Sequence, residues 1–243
     1  MKCIVGIPFK TRAELVIRLV RSILSAINNV LDGDVSFRVL LIDDHSDYGS
    51  LARIRGFIDP ISVVQLVQNA GFGPGAARNT VYDYLEDSDY VAFTDSDCIV
   101  DEMWLNEIVH LCKRASPALI QGVPSLFMKN NEYGVWEEKL YSCMFSRYVD
   151  SESQLCTMID SRNLVVSRIL FEQMRGQLFS ENLRKAAAES RVFMMRIAER
   201  GLAITYSSQI KVYHEDPASI LDSCFQKYRH GHGRVEIWGR PPL

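Results

Sequence analysis

Two carboxylates spaced two residues apart, Asp95 and Asp97, have the clearest chemical potential in this sequence. They follow Tyr90–Thr94, a short apolar and aromatic stretch without Gly or Pro, which is typical of a buried strand. An extended strand end sends residues i and i+2 to one side, with the small Ser96 between them. Because close carboxylates repel, they require a shared proton or a cation. Mg²⁺ and Mn²⁺ bind carboxylate and phosphate oxygens together, so the pair predicts a metal site for a phosphorylated ligand; the alternative is two solvated residues in a turn.

The composition of the 243 residues limits the class of protein. Hydrophobic residues make up 47% and charged residues 23%, which is usual for a globular protein with a substantial core. The formal net charge of −3 gives no indication of a nucleic-acid partner. No apolar run approaches the roughly 20 residues of a membrane span, although peripheral membrane association stays open. Met1–Pro8 is too short and too soon interrupted for a signal peptide, and predicts a first strand.

The 6 cysteines are widely spaced and form no C-x-x-C pair. Most of them lie in apolar sequence, which predicts buried free thiols and a reducing, cytoplasmic compartment. Cys98 lies beside the acidic pair, but no neighbouring His or Lys in the sequence would activate its thiolate. We therefore interpret Cys98 as structural.

Predicted strands and helices alternate through the first part of the chain, which favours a single α/β domain with a mostly parallel central sheet flanked by helices. The predicted strands are Lys2–Pro8, Ser36–Ile42, Ser62–Val67 and Tyr90–Thr94, with helices at Thr11–Leu31 and after the loop Asn69–Gly75. In such sheets ligands bind at the carboxyl ends of the strands. Pro8, Asp43, Asp44, Asp95 and Asp97 all follow predicted strands, so we expect them to meet at one edge of the sheet.

The second part of the chain continues the pattern with less regularity. The predicted elements are a helix from Asp101 to Arg114, a strand Ala118–Val123, a helix with loops within Lys129–Ser153, a strand Thr157–Val166, a helix Ser180–Arg200, and strands Leu202–Tyr206 and Ile210–Tyr213. The aromatic and charged Lys129–Ser153 stretch is expected to cover the site, as a packed element or as a lid. The predicted strand Thr157–Val166 carries Asp160, and His214 follows the last strand.

Several segments, in the order in which they occur, resemble the inverting family 2 glycosyltransferases with the GT-A fold. These are Ile7–Arg12 (I-P-x-[YF]-N-R), Leu41–Ser46 (V-D-D-x-S), Gly71–Asn79 (G-x-x-x-A-R-N), Thr94–Asp97 (D-x-D), Ala188–Gly201 (the acidic helix with a later Arg and Gly) and Val212–His214 (V-x-H). The resemblance extends over 4–233. It implies a nucleotide-binding half at 1–100, an acceptor-binding half at 101–215 and a C-terminal segment at 216–243.

The resemblance also implies a site for a nucleotide-diphosphate sugar donor, an unidentified acceptor, and Mn²⁺ or Mg²⁺ as cofactor. The implied nucleotide-binding residues are Pro8, Phe9, Lys10, Arg12, Asp44, Arg78, Asp95 and Ser96. Asp97, Asp95 and His214 are the implied metal ligands. Asp43 is expected to cap the following turn. An exposed helical arginine is the alternative for Arg78.

Inversion needs a general base for the acceptor hydroxyl, and the family usually places it on the second residue of an acidic pair. Here that second residue is Ser190, which leaves Glu189 as the expected base and Asp160 as the reserve candidate. A structural ion pair between Glu189 and Arg196 is the alternative on the same helix face. A catalytically silent GT-A domain that binds a nucleotide sugar, or serves as a scaffold, is the alternative to an enzyme.

Two other classes of protein fit less well. A phosphoacceptor receiver domain carries its acidic pair after its first strand, whereas here a strand and a helix precede Asp43. A sugar nucleotidyltransferase needs a Gly-rich phosphate loop after strand one, and Ile7–Arg12 contains no glycine. The basic Lys227–Arg234 segment could close over a diphosphate or remain a solvated tail.

Overall fold

A computed structural model describes residues 1–181 and 189–228, and in these residues a sheet of 10 strands is flanked by helices. The strands are β1 Lys2–Phe9, β2 Ser36–Asp43, β3 Val64–Gln68, β4 Tyr90–Phe93, β5 Cys98–Val100, β6 Leu119–Phe127, β7 Val149–Asp150, β8 Leu155–Cys156, β9 Leu164–Ser167 and β10 Ile204–His214. The helices are α1 Ala13–Asn28, α2 Tyr48–Ile58, α3 Gly73–Asn79, α4 Trp104–Ala115, α5 Glu132–Phe145, α6 Arg168–Gln173 and α7 Glu189–Glu199. A further helical stretch covers 220–228.

The sheet confirms the predicted α/β class with mostly parallel strands. Its order is β3-β2-β1-β4-β9-β6-β10-β8-β7, and β5 pairs with β10. β3, β2, β1 and β4 run parallel to one another, and β6 pairs in parallel with β10. β9 is antiparallel to both β4 and β6. Because β1, β2 and β3 are in register at Phe9, Asp43 and Gln68, their carboxyl ends form one edge, where the predicted site residues lie.

Alternate residues of the central strands feed two cores on opposite faces of the sheet. Val5 and Val39 pack with α1, α2 and α4, whereas Ile4 and Leu40 pack with α3, α6 and α7. In α1 the fully buried residues are Val16, Leu19, Val20, Ile23 and Ala26, whose spacing places them on one stripe. Burial of each large side chain of this kind contributes about 1.5–3 kcal/mol, and this holds α1 against one face of the sheet.

Several details differ from the sequence-based expectations. β1 continues beyond Pro8 to Phe9, and α2 was not identified from the sequence. Asp160 lies in a loop before a 3₁₀ turn, Ser161–Asn163, and not on a strand, which begins at Leu164. The two predicted final strands are one strand, β10, whose pairing with β6 shifts register at bulges. Ser180 lies outside a helix, and residues 182–188 of the predicted Ser180–Arg200 helix lie outside the described residues.

The described helices include none that is long and apolar enough to cross a membrane. All of the cysteines are free, as predicted: Cys3, Cys98, Cys112 and Cys156 are buried, and Cys143 and Cys224 are exposed. Burial and the neighbouring Asp97 and Asp95 carboxylates raise the pKa of the Cys98 thiol, which agrees with a structural role.

Candidate functional site

The first group of predicted residues surrounds Asp44 at the end of β2. Asp43 Oδ1 accepts a hydrogen bond from the backbone N–H of Ser46 at 2.9 Å, so Asp43 caps the turn as expected. Asp44 is also buried, and its Oδ1 accepts from Asn69 Nδ2 at 2.8 Å and from the N–H of Gly73 at 2.9 Å. These two bonds fix the loop between β3 and α3 against the end of β2.

An aromatic pair borders this first group. The Phe72 ring, 69% exposed, stacks on His45 with 4.4 Å between ring centroids. His45 Nε2 lies 2.8 Å from the Gly71 carbonyl oxygen, and the residue has a left-handed φ of 61°. A non-glycine residue in that region carries backbone strain, which is typical of functional loops. Sequence reasoning missed this pair, although an aromatic residue between two glycines after a strand was visible.

The residues that end β1 lie beside Asp44. Pro8 and Phe9 are buried, and the Phe9 carbonyl accepts from the Asp44 N–H at 2.8 Å. Lys10 is exposed. Arg12 is exposed at the start of α1 with a left-handed φ of 54°, and it borders a shallow cleft shared with the start of α2. The structure therefore brings Pro8 and Phe9 next to Asp44 and sets Arg12 toward α2.

The second group, here named the Arg78 cluster, comprises Arg78, Asp95 and Glu189. Arg78 on α3 is 3% exposed, so the alternative interpretation of an exposed helical arginine is wrong. Its Nη1 donates to Glu189 Oε1 at 3.0 Å, and its Nη2 donates to Asp95 Oδ1. The guanidinium also lies over the Phe179 ring, 5.4 Å from the centroid. The described ion pair of Glu189 is thus with Arg78, whereas Arg196 donates to the Gln177 carbonyl at 2.8 Å.

The surroundings of Asp95 have opposing effects on the pKa of its carboxyl group. Burial raises the pKa of the Asp95 carboxyl group; Arg78 opposes this, while the carboxylates of Asp97 and Asp160 add to it, and the net shift is upward. This means that the two acidic residues of the D-x-D segment and Asp160 lie close enough to interact.

The third group comprises Asp97 and His214, here named the Asp97 pair. His214 Nε2 lies 3.3 Å from Asp97 Oδ1. Cys98 pairs with His214 in antiparallel strands, which places Asp97 beside His214. The Glu215 N–H also donates to the Asp97 carbonyl at 2.9 Å. The Asp97 side chain is 27% exposed and that of His214 is 12% exposed, so both side chains are partly accessible to solvent.

The tautomer of His214 bears on whether a metal fits. His214 Nδ1 lies 2.7 Å from the Glu215 carbonyl oxygen, which can only accept, so Nδ1 carries a hydrogen. In the neutral ring Nε2 then presents a lone pair to the Asp97 carboxylate. Two facing acceptors require a proton or a cation between them, and an imidazole nitrogen with a carboxylate oxygen suits Mn²⁺.

Protein donors for a metal are few here. Within 1–181 and 189–228 no group of three or more His, Cys, Asp or Glu side chains could hold a metal ion. Asp95, the third expected ligand, directs Oδ1 to Arg78. The residues therefore fit an ion that takes most of its ligands from substrate phosphates and water, as Mg²⁺ and Mn²⁺ commonly do.

Asp160, the reserve base, is held by a local partner. Arg162 Nε donates to Asp160 Oδ1 at 2.9 Å, and Nη2 donates to Oδ2 at 2.7 Å. Burial alone would raise the pKa of Asp160, but the Arg162 charge and hydrogen bonds outweigh it and hold the pKa below its usual value. Both oxygens are engaged, which suits an ion pair better than proton abstraction.

Sequence reasoning missed several residues that organise these groups. Arg162 anchors Asp160, Asn69 orients Asp44, and Arg18 on α1 pairs with Glu215 beside His214. Buried Asn163 accepts from Trp104 Nε1 at 2.9 Å and so fixes the 3₁₀ turn. Asn69 could have been identified because it follows a predicted strand; the Arg18 pair joins distant parts of the chain and left no local signal.

The Lys129–Ser153 stretch, which was expected to cover the site, contains α5, and α5 packs against the helical stretch 220–228. The Tyr141 ring lies between Arg162 and Lys227, 5.0 and 5.1 Å from its centroid. Lys227 Nζ also donates to the buried Glu137 at 2.6 Å, which ties the two helices together. Of the basic segment Lys227–Arg234, residues 229–234 lie outside the described residues.

Comparison with known proteins identifies the family. The sequence matches the glycosyl transferase family 2 profile over residues 4–175, which is well over half of the chain. No curated protein sequence matches the chain. The fold is similar to that of the mannosyltransferase PcManGT from Pyrobaculum calidifontis, in complex with GDP-Man and Mn²⁺, with 14% identity, a TM-score of 0.66, and coverage of 99% of this chain and 65% of that chain.

Two crystal structures of TarS from S. aureus are similar as well. The first has 18% identity, a TM-score of 0.60 and coverage of 100% of this chain and 41% of that chain. The second, TarS 1–349, has 19% identity, a TM-score of 0.62 and coverage of 100% and 67%. This chain thus spans 65% of the length of the mannosyltransferase chain and 41% of the longer TarS chain.

At these identities the solved structures report the fold, and the profile match reports the family. The matched residues include Asp44, Arg78, Asp95, Asp97 and Asp160, and they end before Glu189 and His214. The chain belongs to glycosyl transferase family 2 and has the GT-A fold.

Proposed function

We propose that this domain transfers a sugar from a nucleoside-diphosphate sugar to an acceptor hydroxyl, with inversion at the sugar carbon and with Mn²⁺ or Mg²⁺ as cofactor. One observation carries the proposal: Arg78 joins Asp95, at the D-x-D strand end, to Glu189, the candidate base. A base must lie beside the bound donor, and this link supports such a position. The GDP-Man and Mn²⁺ bound to PcManGT support the class of donor and of metal.

The donor site in this proposal lies along the edge formed by β1, β2 and β4. Its residues are Pro8, Phe9, Lys10, Arg12, Asp44, Asp95 and Ser96. Asp44 Oδ1 is occupied by Asn69 and Gly73, so recognition of a base N–H falls to its second oxygen. A carboxylate has lone pairs for both tasks. The held oxygen fixes the direction of the free one, which favours selection among nucleobases.

Asp97 and His214 would hold the metal ion, with the diphosphate supplying further oxygens. When bound, the ion would neutralise the charge that builds up on the departing nucleoside diphosphate. Hydrogen bonding of His214 Nδ1 to the Glu215 carbonyl would keep Nε2 directed at the ion, and Arg18 would hold Glu215 in place.

Glu189 is the proposed general base. Its carboxylate would take the proton of the acceptor hydroxyl while the acceptor oxygen bonds to the sugar carbon. The bond from that carbon to the diphosphate oxygen breaks, and its electron pair leaves with the nucleoside diphosphate. Asp160, with both oxygens on Arg162, would shape the acceptor side of the site.

A silent nucleotide-sugar-binding domain is the second candidate function, and the Arg78 cluster itself is the observation that favours it. Glu189 is buried and ion-paired, which also describes a purely structural carboxylate. Ser190 stands where the family's usual base would be. A turnover measurement separates the two candidates, because only an enzyme releases nucleoside diphosphate continuously.

The test begins with a thermal-shift panel of nucleoside diphosphates with and without Mn²⁺, since a ligand of the native state raises the melting temperature. Release of nucleoside diphosphate from the matching nucleotide sugars is then measured. Glu189→Gln keeps the shape of the side chain and is expected to lower kcat by about 10²–10⁴-fold with the nucleoside-diphosphate Kd unchanged.

Glu199→Gln is the matched control, because Glu199 is exposed on the same helix. Full turnover by Glu189→Gln would show that Glu189 is not the general base and that its role is the structural ion pair. Absence of turnover by the wild type with every nucleotide sugar would favour the silent domain.

The division of the chain is part of the proposal. Residues 1–100 would bind the nucleotide, and 101–215 would bind the acceptor. Residues 216–243 would form a C-terminal segment, in which Lys227 contacts α5 next to Arg162.

A further inference from the structure

The guanidinium of Arg78 is bound by protein carboxylates on both sides, an arrangement that contact with the donor would not require. Both terminal nitrogens of its guanidinium are engaged by protein carboxylates, Nη1 by Glu189 and Nη2 by Asp95, and Nη1 also lies 3.4 Å from the Pro74 carbonyl oxygen. The side chain is 3% exposed and packs over Phe179. Little of the guanidinium is left to face a bound nucleotide.

The shape of the guanidinium makes it a spacer between the two carboxylates. It is planar, always charged, and presents its donors in a rigid fork. Asp95 and Glu189 come from separate elements: Asp95 follows β4, and Glu189 begins the helix α7. Bound to one fork, their carboxylates keep a fixed separation.

The helix that carries Arg78 is itself fixed to the chain that leads to Glu189. Asn79 Nδ2 donates to the Phe179 carbonyl at 2.9 Å, and the Phe179 N–H donates to Asn79 Oδ1 at 3.0 Å. A Cβ on Gly75 would lie 2.3 Å from the Ser180 carbonyl oxygen and 3.6 Å from Glu189 Cβ, so the backbones are in close contact. At its other end α3 donates the Gly73 N–H to Asp44.

We propose that Arg78 is a positioning residue: it makes no contact with the donor, and it sets the place of the Glu189 carboxylate relative to the D-x-D strand end. The inference rests on the proposed function, since it concerns the base of that reaction. α3 then links three residues as one rigid unit: Asp44, which would recognise the nucleobase, Asp95 at the strand end, and the general base Glu189. This differs from the donor contact that the resemblance implied for Arg78.

The test is a double-mutant cycle on the full chain, with Arg78→Lys and Glu189→Gln alone and together. Lysine keeps the charge but lacks the fork, so it cannot hold both carboxylates at their present separation. Arg78→Lys is expected to lower kcat about 10²-fold, as for a misplaced catalytic group, with KM for the nucleotide sugar changed by less than about threefold. Added to Glu189→Gln, it is expected to lower kcat by less than about threefold more, because coupled residues are not additive.

Binding separates positioning from donor contact. The Kd of GDP and of UDP with Mn²⁺, measured by calorimetry, is expected to stay within about threefold of wild type in Arg78→Lys, since no donor contact is removed. Arg196→Lys is the matched control, because Arg196 on α7 bonds a carbonyl and no carboxylate in the described contacts. Melting temperatures establish that each variant folds, and Arg78→Gln replaces Arg78→Lys if the latter does not.

Each other outcome overturns the proposal in a different place. A Kd weakened tenfold or more, on the order of one lost contact to the donor, identifies Arg78 as a donor ligand. Additive losses of kcat in the cycle, or unchanged kcat in Arg78→Lys, remove the coupling to Glu189. A wild type without turnover removes the proposed function as well, and that result is seen before any variant is made.

Discussion

The Arg78 cluster and the Asp97 pair lie at the two ends of the same short segment, Asp95 to Asp97, and differ in the source of their positive charge. In the Arg78 cluster the protein supplies a cation: one buried guanidinium lies between two carboxylates. In the Asp97 pair an imidazole nitrogen and a carboxylate oxygen face each other at 3.3 Å, and the imidazole is more exposed than the Arg78 guanidinium.

The difference teaches how one acidic motif can serve two purposes. A carboxylate that is satisfied within the protein is held rigid and contributes to stability, because breaking a buried pair leaves an uncompensated charge. A carboxylate that faces another acceptor is poised for a cation from outside. We therefore expect variants of the Arg78 cluster to affect folding, and variants of the Asp97 pair to affect metal-dependent binding.

The largest effect is expected from Arg78→Met, which leaves the two carboxylates of the Arg78 cluster without their cation. We expect a loss of about 3–5 kcal/mol in the free energy of unfolding, the usual result of breaking a buried pair. Urea unfolding followed by circular dichroism measures it. Arg53→Met is the matched control, because Arg53 pairs with Glu14 at the surface and should contribute at most about 1 kcal/mol. Equal effects of the two variants would show that burial gives the cluster no special weight.

The next effect concerns Asp97→Asn, which removes the charge from the Asp97 pair. We expect Mn²⁺-dependent affinity for GDP or UDP to fall by at least about 10²-fold. Loss of a residue that only supports a metal ligand costs up to about 100-fold in affinity, and loss of the proposed ligand itself should cost at least as much. The melting temperature should stay near wild type. Calorimetry with and without Mn²⁺ measures it. The control is Asp87→Asn, an exposed carboxylate paired with Lys2. A destabilised protein with intact Mn²⁺-dependent binding would reverse the comparison.

The smallest effect extends the comparison to Asp160, a second carboxylate with its own cation. Its pKa lies below the usual value because Arg162 outweighs burial, so the pair stabilises the fold above about pH 4 and loses that contribution as the pH falls through the lowered pKa. Asp160→Asn should therefore cost about 1–3 kcal/mol at pH 7, and the difference from wild type should shrink at acid pH. Urea unfolding over a pH series measures it, with the exposed Asp59→Asn as control. A difference that grows toward acid pH would contradict the pairing.

Most of the sheet could be predicted because its strands carry strong local signals. β2 and β4 match their predictions to within one residue, since continuous apolar stretches ended by Asp are typical of buried strands. β10 was divided in two because Ser207–Gln209 interrupts the apolar pattern, although the strand continues through bulges there. Bulges depend on the neighbouring strand and leave little trace in one sequence.

The residues of the candidate site were proposed from the sequence, whereas their pairings were not. Arg196 was the expected alternative partner of Glu189 because both positions share a helix face. The ion pair instead comes from Arg78, because packing brings α3 across that face with Gly75 against Ser180. A spacing rule describes one helix, and it contains no information on which other helix approaches it.

The sequence by itself determined which residues stand at the strand ends: Asp44, Asp95 and Asp97 follow apolar stretches, and a parallel sheet gathers such positions at one edge. Only the tertiary structure decided the partner of each carboxylate. It joined Asp95 to Arg78 and Asp97 to His214, through the packing of α3 and the pairing of β5 with β10. The physical reason is range: burial and strand propensity act over a few residues, whereas an ion pair is formed between whichever charges the completed fold brings together.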